Sequence, residues 1–337
     1  MRFYRKYKML LLITFSMLVF AVYVTVNIKA VKRFLKYSLK VPRGLQIFPP
    51  APKASSSQSI FIYNRIPKTG STSFMGLVYD LCEKNNFYVL HLNLSKNSHT
   101  FTAADQVRFT KNITEWTERR SAFYHGHVAY LDFRRIGSNT SPVYLNLVRK
   151  PLDRLISYFY FLRYGDDFRP HLVRKKQGDK MTFDECVNQS LQDCDPVNLW
   201  LQIPFFCGHA AQCWEPESDW ALEEAKRNLA EKYFLVGITE EIESFIEILE
   251  FSYPNIFKDA LNIFRTSNKT HLRRTNKKVL PSSKTLQKIQ ESKIWQMENE
   301  FYEFAASNFY RVRKKMKESL VDGKPEPKFF YEKVRPK

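Results

Sequence analysis

IYNRIPKTGSTSF, residues Ile62–Phe74, passes from an apolar run into one lysine and a cluster of small hydroxylated residues. The spacing predicts a strand over Ser59–Tyr63 and a helix over Ser73–Cys82, joined by the turn Pro-Lys-Thr-Gly-Ser-Thr-Ser. Such a strand–loop–helix turn is a phosphate cradle in outline. Backbone N–H groups, the positive end of the helix dipole and a lysine converge on one point. The nucleoside-triphosphatase pattern G-x-x-x-x-G-K-[ST] is not met, because Lys68 precedes Gly70. The plainer alternative is a polar turn whose helix is capped by Ser71, Thr72 or Ser73.

Working outward, the same grammar recurs. PVYLNLVRKPLDRLISYFYFLR and YFLVGITEEIESFIEILE each read as a strand running into a helix. YVLHLN (Tyr88–Asn93) and AFYHGHVAY supply further strands, and Ala103–Lys111 a polar helix. The alternation predicts an α/β fold with a central parallel sheet flanked by helices on both faces. ALEEAKRNLAEKY and the long stretch Thr285–Lys315 carry the 3.6-residue period of amphipathic helices. Arg149 falls at the carboxyl end of its strand, Pro151 suits the first position of the next helix, and Ser157 lies nearly two turns further on. Ligands of parallel sheets collect outside the carboxyl ends of the strands. Lys68 and Arg149 are therefore expected to meet around one doubly phosphorylated ligand. The alternative for Arg149 is a helix-start pair with Asp153.

The formal charge of +19 is unevenly spread: residues 1–58 hold 11 Lys/Arg and no Asp/Glu. The folded remainder is only moderately basic and shows no nucleic-acid module, which argues against a nucleic-acid partner. Residues 1–8 read as a cytoplasmic tail. Met9–Ile28 is 20 residues without a charge, and at ~1.5 Å per residue it spans a bilayer core of roughly 30 Å. A cleaved signal peptide would have a shorter apolar run and a small-residue cleavage site. Residues 29–58, rich in Pro and Ser, read as a stem, and 59–337 as the folded domain. Cys186 and Cys194 lie eight apart and Cys207 and Cys213 six apart, flanking polar loops. Two short disulfides with a buried, free Cys82 fit an oxidising compartment. Zinc at CGHAAQC, around His209, is the rival, but no pair has C-x-x-C spacing, so no metal is expected. Sequons stand at Asn93, Asn112, Asn139, Asn188 and Asn268, with Asn93 and Asn112 the expected glycosylation sites. The chain thus reads as a single-pass membrane protein with a lumenal domain.

Strand–PKTGSTS–helix followed by strand–R-x-P-x-x-R-x-x-S–helix resembles the nucleotide-binding elements of sulfotransferases. YNRIPKTGSTSF, FYHGHVAYLDF, YFLRYGDDFRP, QGDKMTFDECV, LWLQIPFFCGH and KIWQMENEFYEFA narrow the resemblance to the heparan sulfate 2-O-sulfotransferase family, over nearly all of Ser59–Lys337. The resemblance implies a type II Golgi membrane enzyme and a homotrimer. It also implies the donor 3′-phosphoadenosine 5′-phosphosulfate and, as partner, heparan sulfate, sulfated at the 2-OH of mainly iduronic acid. One departure is Lys150, where many sulfotransferases carry Asp.

Sulfuryl transfer needs donor and acceptor oxygens in line and stabilisation of the leaving phosphate. Lys68 suits the 5′-phosphate, with donors from Thr69, Gly70, Ser71 and Thr72. Arg149 and Ser157 suit the 3′-phosphate. The resemblance adds cofactor roles for Thr270, Arg273, Thr275 and Lys278 in KTHLRRTNKK, which could otherwise be a solvated basic loop. His125 and His127 lie at i and i+2 of YHGHVAY, on one face if the segment is a strand, and imidazole titrates in the range of a general base. The resemblance points to the same pair as catalytic, with either as the base. Arg65, Arg169, Arg174, Lys175, Lys176 and Lys180 form a basic stripe for an anionic polymer. By resemblance, Arg65, Tyr79, His91, Asp166, Arg169 and Arg174 line the sugar site, reached by Lys333. Two other functions compete: a chondroitin or dermatan uronyl 2-O-sulfotransferase, and a lumenal glycan-binding protein without chemistry.

Overall fold

IFIYN shows no polar alternation, and the strand it forms, β1 (Ile60–Asn64), is buried at four of its five positions. A run without a polar face is what a central parallel strand requires, since helices cover both of its sides. β1 pairs in parallel with β3 (Ala122–Gly126) on one edge and with β4 (Val143–Val148) on the other. β2 (Tyr88–Leu92) adds to β3 and β5 (Tyr233–Ile238) adds to β4, also in parallel. The order is β2-β3-β1-β4-β5, so the chain leaves β1 in one direction and returns to its opposite edge. That reversal opens a crevice at the carboxyl ends of β1, β3 and β4.

The computed structural model describes residues 59–92, 98–116, 121–166, 169–267 and 277–321. The expected tail, anchor and stem lie outside the described residues, as do Asn93, Asn268, Thr270, Arg273, Thr275 and Lys333. Among the described residues no helix is long and apolar enough to cross a membrane.

The helices are α1 (Ser71–Lys84), α2 (Ala103–Thr114), α3 (Pro151–Tyr164), α4 (Phe183–Asn188), α5 (Gln202–Cys207) and α6 (Asp219–Lys232). They continue as α7 (Ile242–Ser252), α8 (Pro254–Phe257), α9 (Ala260–Thr266), α10 (Ser283–Gln290) and α11 (Lys293–Val321). Phe74 on α1 lies against Tyr63, Phe123, Phe245 and Phe257, with ring centroids 5.2–6.5 Å apart. These rings bury the sheet's inner face and hold α1 against β1 and β3. The amphipathic stretch Thr285–Lys315 is two helices, not one. Ser292 makes the break: its hydroxyl donates to the Ile289 carbonyl at 2.7 Å and accepts the Trp295 N–H at 3.2 Å. One side chain thus closes α10 and caps α11.

The β1–β4 ladder stops at Tyr63, and side chains take over beyond it. Asn146 Nδ2 donates to the Asn64 carbonyl at 2.8 Å and to its Oδ1 at 2.9 Å, and Tyr233 Oη donates to the same Oδ1 at 3.0 Å. Both asparagines are fully buried. The two strands can therefore part toward the crevice without leaving buried polar groups unmatched.

Cys186–Cys194 and Cys207–Cys213 are disulfides, with Cα–Cα distances of 6.1 and 5.6 Å. The second bond consumes the thiolates that zinc at CGHAAQC would need, and His209 Nδ1 donates to the Tyr130 carbonyl at 3.0 Å. Cys82 is free, as expected, but it is half-buried and not buried. It sits near the end of α1, where Glu83 and Lys84 are already exposed.

Candidate active site

Gly70 adopts φ 76° and forms the N-cap of α1, which therefore begins at Ser71, two residues earlier than its periodicity implied. No side chain caps this helix, which removes the reading of a polar turn closed by Ser71, Thr72 or Ser73. A Cβ at position 70 would also lie 3.2 Å from Thr239 Cγ2. Glycine is needed here both for the left-handed backbone and for the close approach. Lys68 itself holds φ 69°, a conformation that costs a non-glycine residue ~1–2 kcal/mol. Strain of this kind persists where surrounding bonds fix the chain. Here Thr239 supplies them, its hydroxyl lying 2.9 Å from the Thr69 carbonyl and 3.0 Å from the Val148 carbonyl. The loop is thus tied to the end of β4.

Arg149 reaches the same loop. Its Nη1 donates to the Lys68 carbonyl at 3.2 Å. The alternative pairing with Asp153 is not among the ion pairs of the described residues. Lys278 lies close by: burial, and then the charge of Arg149, pull its ammonium below the ordinary lysine range, while Asp153 works the other way. Ser157 is buried on α3, two turns beyond Arg149. Thr69, expected as a donor, is fully buried and gives its hydroxyl to the Ile66 carbonyl at 3.0 Å, so it braces the turn from within.

On the β3 side the two histidines differ. β3 ends at Gly126, so His125 belongs to the strand and His127 lies just past it; the two do not share a strand face. His125 is 1% exposed. Arg65 Nη1, which can only donate, lies 3.3 Å from His125 Nδ1, so that nitrogen holds the lone pair. Nε2 then carries the proton and donates to Tyr79 Oη at 2.8 Å. His91 stacks on the ring at 4.7 Å. Burial first, then Arg65, His91 and His127, push the His125 imidazole down to about 3. His127 is half-buried, and its Nδ1 faces the Arg65 carbonyl at 2.8 Å. A carbonyl only accepts, so Nδ1 is the protonated nitrogen and Nε2 the basic one.

Three arginines expected at the sugar site, Arg65, Arg169 and Arg174, lie along this edge. Burial, and then Arg65 and Arg169, hold the His91 imidazole below its usual range, which sets all three groups near one another. Arg174 Nη2 lies 3.2 Å from Asp166 Oδ1, and the Arg169 N–H donates to the same oxygen at 3.1 Å. Asp166 was expected to touch sugar, but its side chain is fully covered. Its role in the fold is to hold Arg174 and Arg169. Lys176, expected in the open stripe, pairs with Asp193 at 2.9 Å. Buried Arg163 clamps the same segment through Asp179 and Asp193, each at 2.9 Å. Arg169, Lys175 and Lys180 are exposed.

Phe161 was missed by the sequence reading. Lys68 Nζ lies 4.2 Å from its ring centroid and the Arg174 guanidinium 4.5 Å. The ring therefore contacts both the loop lysine and Arg174. It lies ten residues past Pro151, near the end of α3, where nothing in the local pattern marks it as more than core.

A model of the sulfotransferase family matches residues 55–305. The chain is 55% identical over 278 residues to the heparin sulfate O-sulfotransferase of Drosophila melanogaster, covering 82% of this chain and 79% of that protein. It is 54% identical over 283 residues to heparan sulfate 2-O-sulfotransferase 1 of Gallus gallus, and 53% over 283 residues to that of Homo sapiens, with the same 82% and 79% coverage.

Proposed function

The chain belongs to the sulfotransferase family, and from that premise we propose that it sulfates the 2-OH of uronic acid, mainly iduronic acid, in heparan sulfate. The observation that carries the reading is the meeting of four functional groups on one loop. Lys68, Arg149, His125 and His127 all contact the segment Arg65–Lys68 or belong to it. A glycan-binding protein without chemistry has no use for that convergence. The relatives' names favour heparan over chondroitin or dermatan acceptors.

The residues fit 3′-phosphoadenosine 5′-phosphosulfate as donor. The uncapped start of α1, the glycine cradle and Lys68 suit its 5′-phosphate, while Arg149, Ser157 and Lys278 suit the 3′-phosphate. When bound, the donor supplies the sulfuryl group and departs as adenosine 3′,5′-bisphosphate. Lys68 Nζ and the N–H groups of Ser71 and Thr72 neutralise the charge that develops on the 5′-phosphate side. His127 Nε2 takes the proton of the acceptor hydroxyl. His125 holds Arg65 and Tyr79 in place and stays neutral while doing so. Arg65, Arg169 and Arg174 receive the acceptor's carboxylate and sulfates, with Tyr79 and His91 at the rim.

The proposed setting is the Golgi membrane: anchor 9–28, stem 29–58 and a lumenal domain from residue 59, glycosylated at Asn93 and Asn112 and assembled as a homotrimer. Thr270, Arg273 and Thr275 would complete the donor site and Lys333 the acceptor site. The test supplies labelled sulfate donor with heparan, chondroitin and dermatan acceptors and identifies the labelled sugar. Label on the 2-OH of heparan uronic acid is the expected result; label confined to chondroitin or dermatan, or none, overturns the assignment.

A further inference from the structure

Arg149 is held by its backbone as well as by its side chain. Its N–H donates to Gln202 Oε1 at 2.9 Å, and its carbonyl accepts from Gln202 Nε2 at 3.0 Å. This two-bond clasp falls one residue past Val148, the last β4 position paired with β5. Gln202 thus continues the ladder where the strand has ended. Its side chain is fully buried, and its amide faces one way for a reason. Gln202 Nε2 also donates to Glu298 Oε2 at 3.4 Å, while Glu298 Oε1 accepts the N–H groups of Leu201 at 2.9 Å and Ile203 at 3.1 Å. An amide flip would set Gln202 N–H donors against the Arg149 N–H and its oxygen against both a carbonyl and a carboxylate.

Glu298 projects from α11 and is 0% exposed. Burial pushes its carboxyl up to about 6, with Arg154 and the three amide donors pulling it back. Arg154 does not take the carboxylate directly; its Nη2 donates to the Asn198 and Leu199 carbonyls at 2.8 and 2.9 Å. An acid this costly to bury is the least economical cap for a six-residue helix. It is well suited to orienting an amide that must present both a donor and an acceptor to one residue.

We propose that Gln202 and Glu298 are positioning residues of the nucleotide site: they fix Arg149 for the 3′-phosphate and so set the preference for a 3′-phosphorylated nucleotide. The inference rests on the reading that Arg149 binds that phosphate, and the experiment separates the two. Adenosine 3′,5′-bisphosphate and adenosine 5′-monophosphate are titrated calorimetrically into the parent protein and into R149A, Q202M and E298Q, with melting curves for each. Arg149→Ala should abolish most of the preference for the bisphosphate. Gln202→Met should lower the affinity ratio about tenfold, on the scale of ~1.4 kcal/mol per decade, and leave monophosphate binding within twofold. Glu298→Gln should act in the same direction, because its new N–H₂ faces the N–H₂ of Gln202. If Arg149→Ala keeps the ratio, the assignment of Arg149 fails. If Arg149→Ala removes it while Gln202→Met and Glu298→Gln keep it, the clasp is only a cap for α5 and the proposal is overturned. Should Glu298→Gln lose its melting transition, Gln202→Met decides alone by the same ratio.

Discussion

His127→Asn is the perturbation that tests the assignment of the base most directly. Asparagine places an N–H₂ where the imidazole has Nδ1–H, so the bond to the Arg65 carbonyl, 2.8 Å in the parent, survives. What disappears is the Nε2 lone pair. Removal of a general base costs ~10²–10⁴-fold in turnover, or about 3–5 kcal/mol of barrier. His125→Asn is the matched control. Its amide oxygen replaces Nδ1 as acceptor for Arg65, and the losses are the bond to Tyr79 at 2.8 Å and the stack on His91 at 4.7 Å. The bond and the stack are each worth ~0.5–1.5 kcal/mol, and neither takes the acceptor's proton, so turnover should fall less than in His127→Asn.

The assay is single-turnover sulfate transfer to heparan at saturating donor, run beside calorimetric binding of adenosine 3′,5′-bisphosphate. Both variants should bind the nucleotide near normally. The reasoning is refuted if His127→Asn keeps more than a tenth of the parent turnover, or if His125→Asn is the more damaging of the two. In the second case the His125 lone pair, given to Arg65 in the structure, must be released during the reaction.

The His125 imidazole, held at about 3, should stay neutral between pH 5 and 8. Because its folded value is depressed, stability falls as pH drops from about 6.5 toward 3, where the unfolded chain binds the extra proton. Imidazole NMR showing His125 titrating near pH 6 would contradict this depression by burial and Arg65. Lys68→Ala should abolish turnover while heparan binding persists, whereas Arg174→Ala should weaken heparan binding and flatten its salt dependence; near-normal turnover in Lys68→Ala would sink the phosphate-loop reading. Phe161→Leu removes two cation–ring contacts of ~0.5–1 kcal/mol each, so turnover and heparan affinity should each fall several-fold, with Phe161→Trp close to the parent. Equal values for leucine and phenylalanine in both assays would reduce the ring to core packing. Non-reducing peptide mapping should recover Cys186–Cys194 and Cys207–Cys213 with Cys82 alkylated; any bridge to Cys82 contradicts the structure.

The parallel sheet and the Lys68 loop were legible because their signals are local. A strand without polar alternation and a lysine followed by a glycine and small hydroxyls fall together within Ile60–Ser73, whereas the left-handed Gly70 and the uncapped helix start at Ser71 emerge only from the structure. Arg149 was legible for the same reason, since Pro151 marks the helix start beside it. The inequality of His125 and His127 was not, because it depends on where β3 stops and on Arg65, about 60 residues away in sequence. Asp166 was placed at the sugar site by resemblance alone, and its carboxylate is held by the Arg174 guanidinium and the Arg169 N–H, partners no local pattern marks. Phe161, Gln202 and Glu298 carry no local mark at all. An aromatic in an apolar helix, a glutamine two residues before a proline and a glutamate in an amphipathic stretch all have plainer meanings. Only the packing of α3, α5 and α11 behind the crevice gives them others.

The arrangement also shows why the loop after β1 must lie at the centre of the sheet. β4 stands on one side of it and β3 on the other. The strand order therefore puts Arg149 and Ser157 on one flank and the histidines on the opposite flank, with Lys68 between them. In-line displacement needs the attacking and leaving oxygens on opposite sides of sulfur, and in the proposed reading the leaving 5′-phosphate oxygen lies at Lys68 and the attacking hydroxyl at His127. Arg65 and Lys68, three residues apart on one turn, then have complementary tasks. The carbonyl and guanidinium of Arg65 fix both imidazoles, while the Lys68 carbonyl receives Arg149 and its ammonium rests on Phe161. A shift of this turn would disturb the contacts to His125, His127, Arg149 and Phe161 together. This is the physical reason for tying it down with Thr239 and for accepting a left-handed lysine within it.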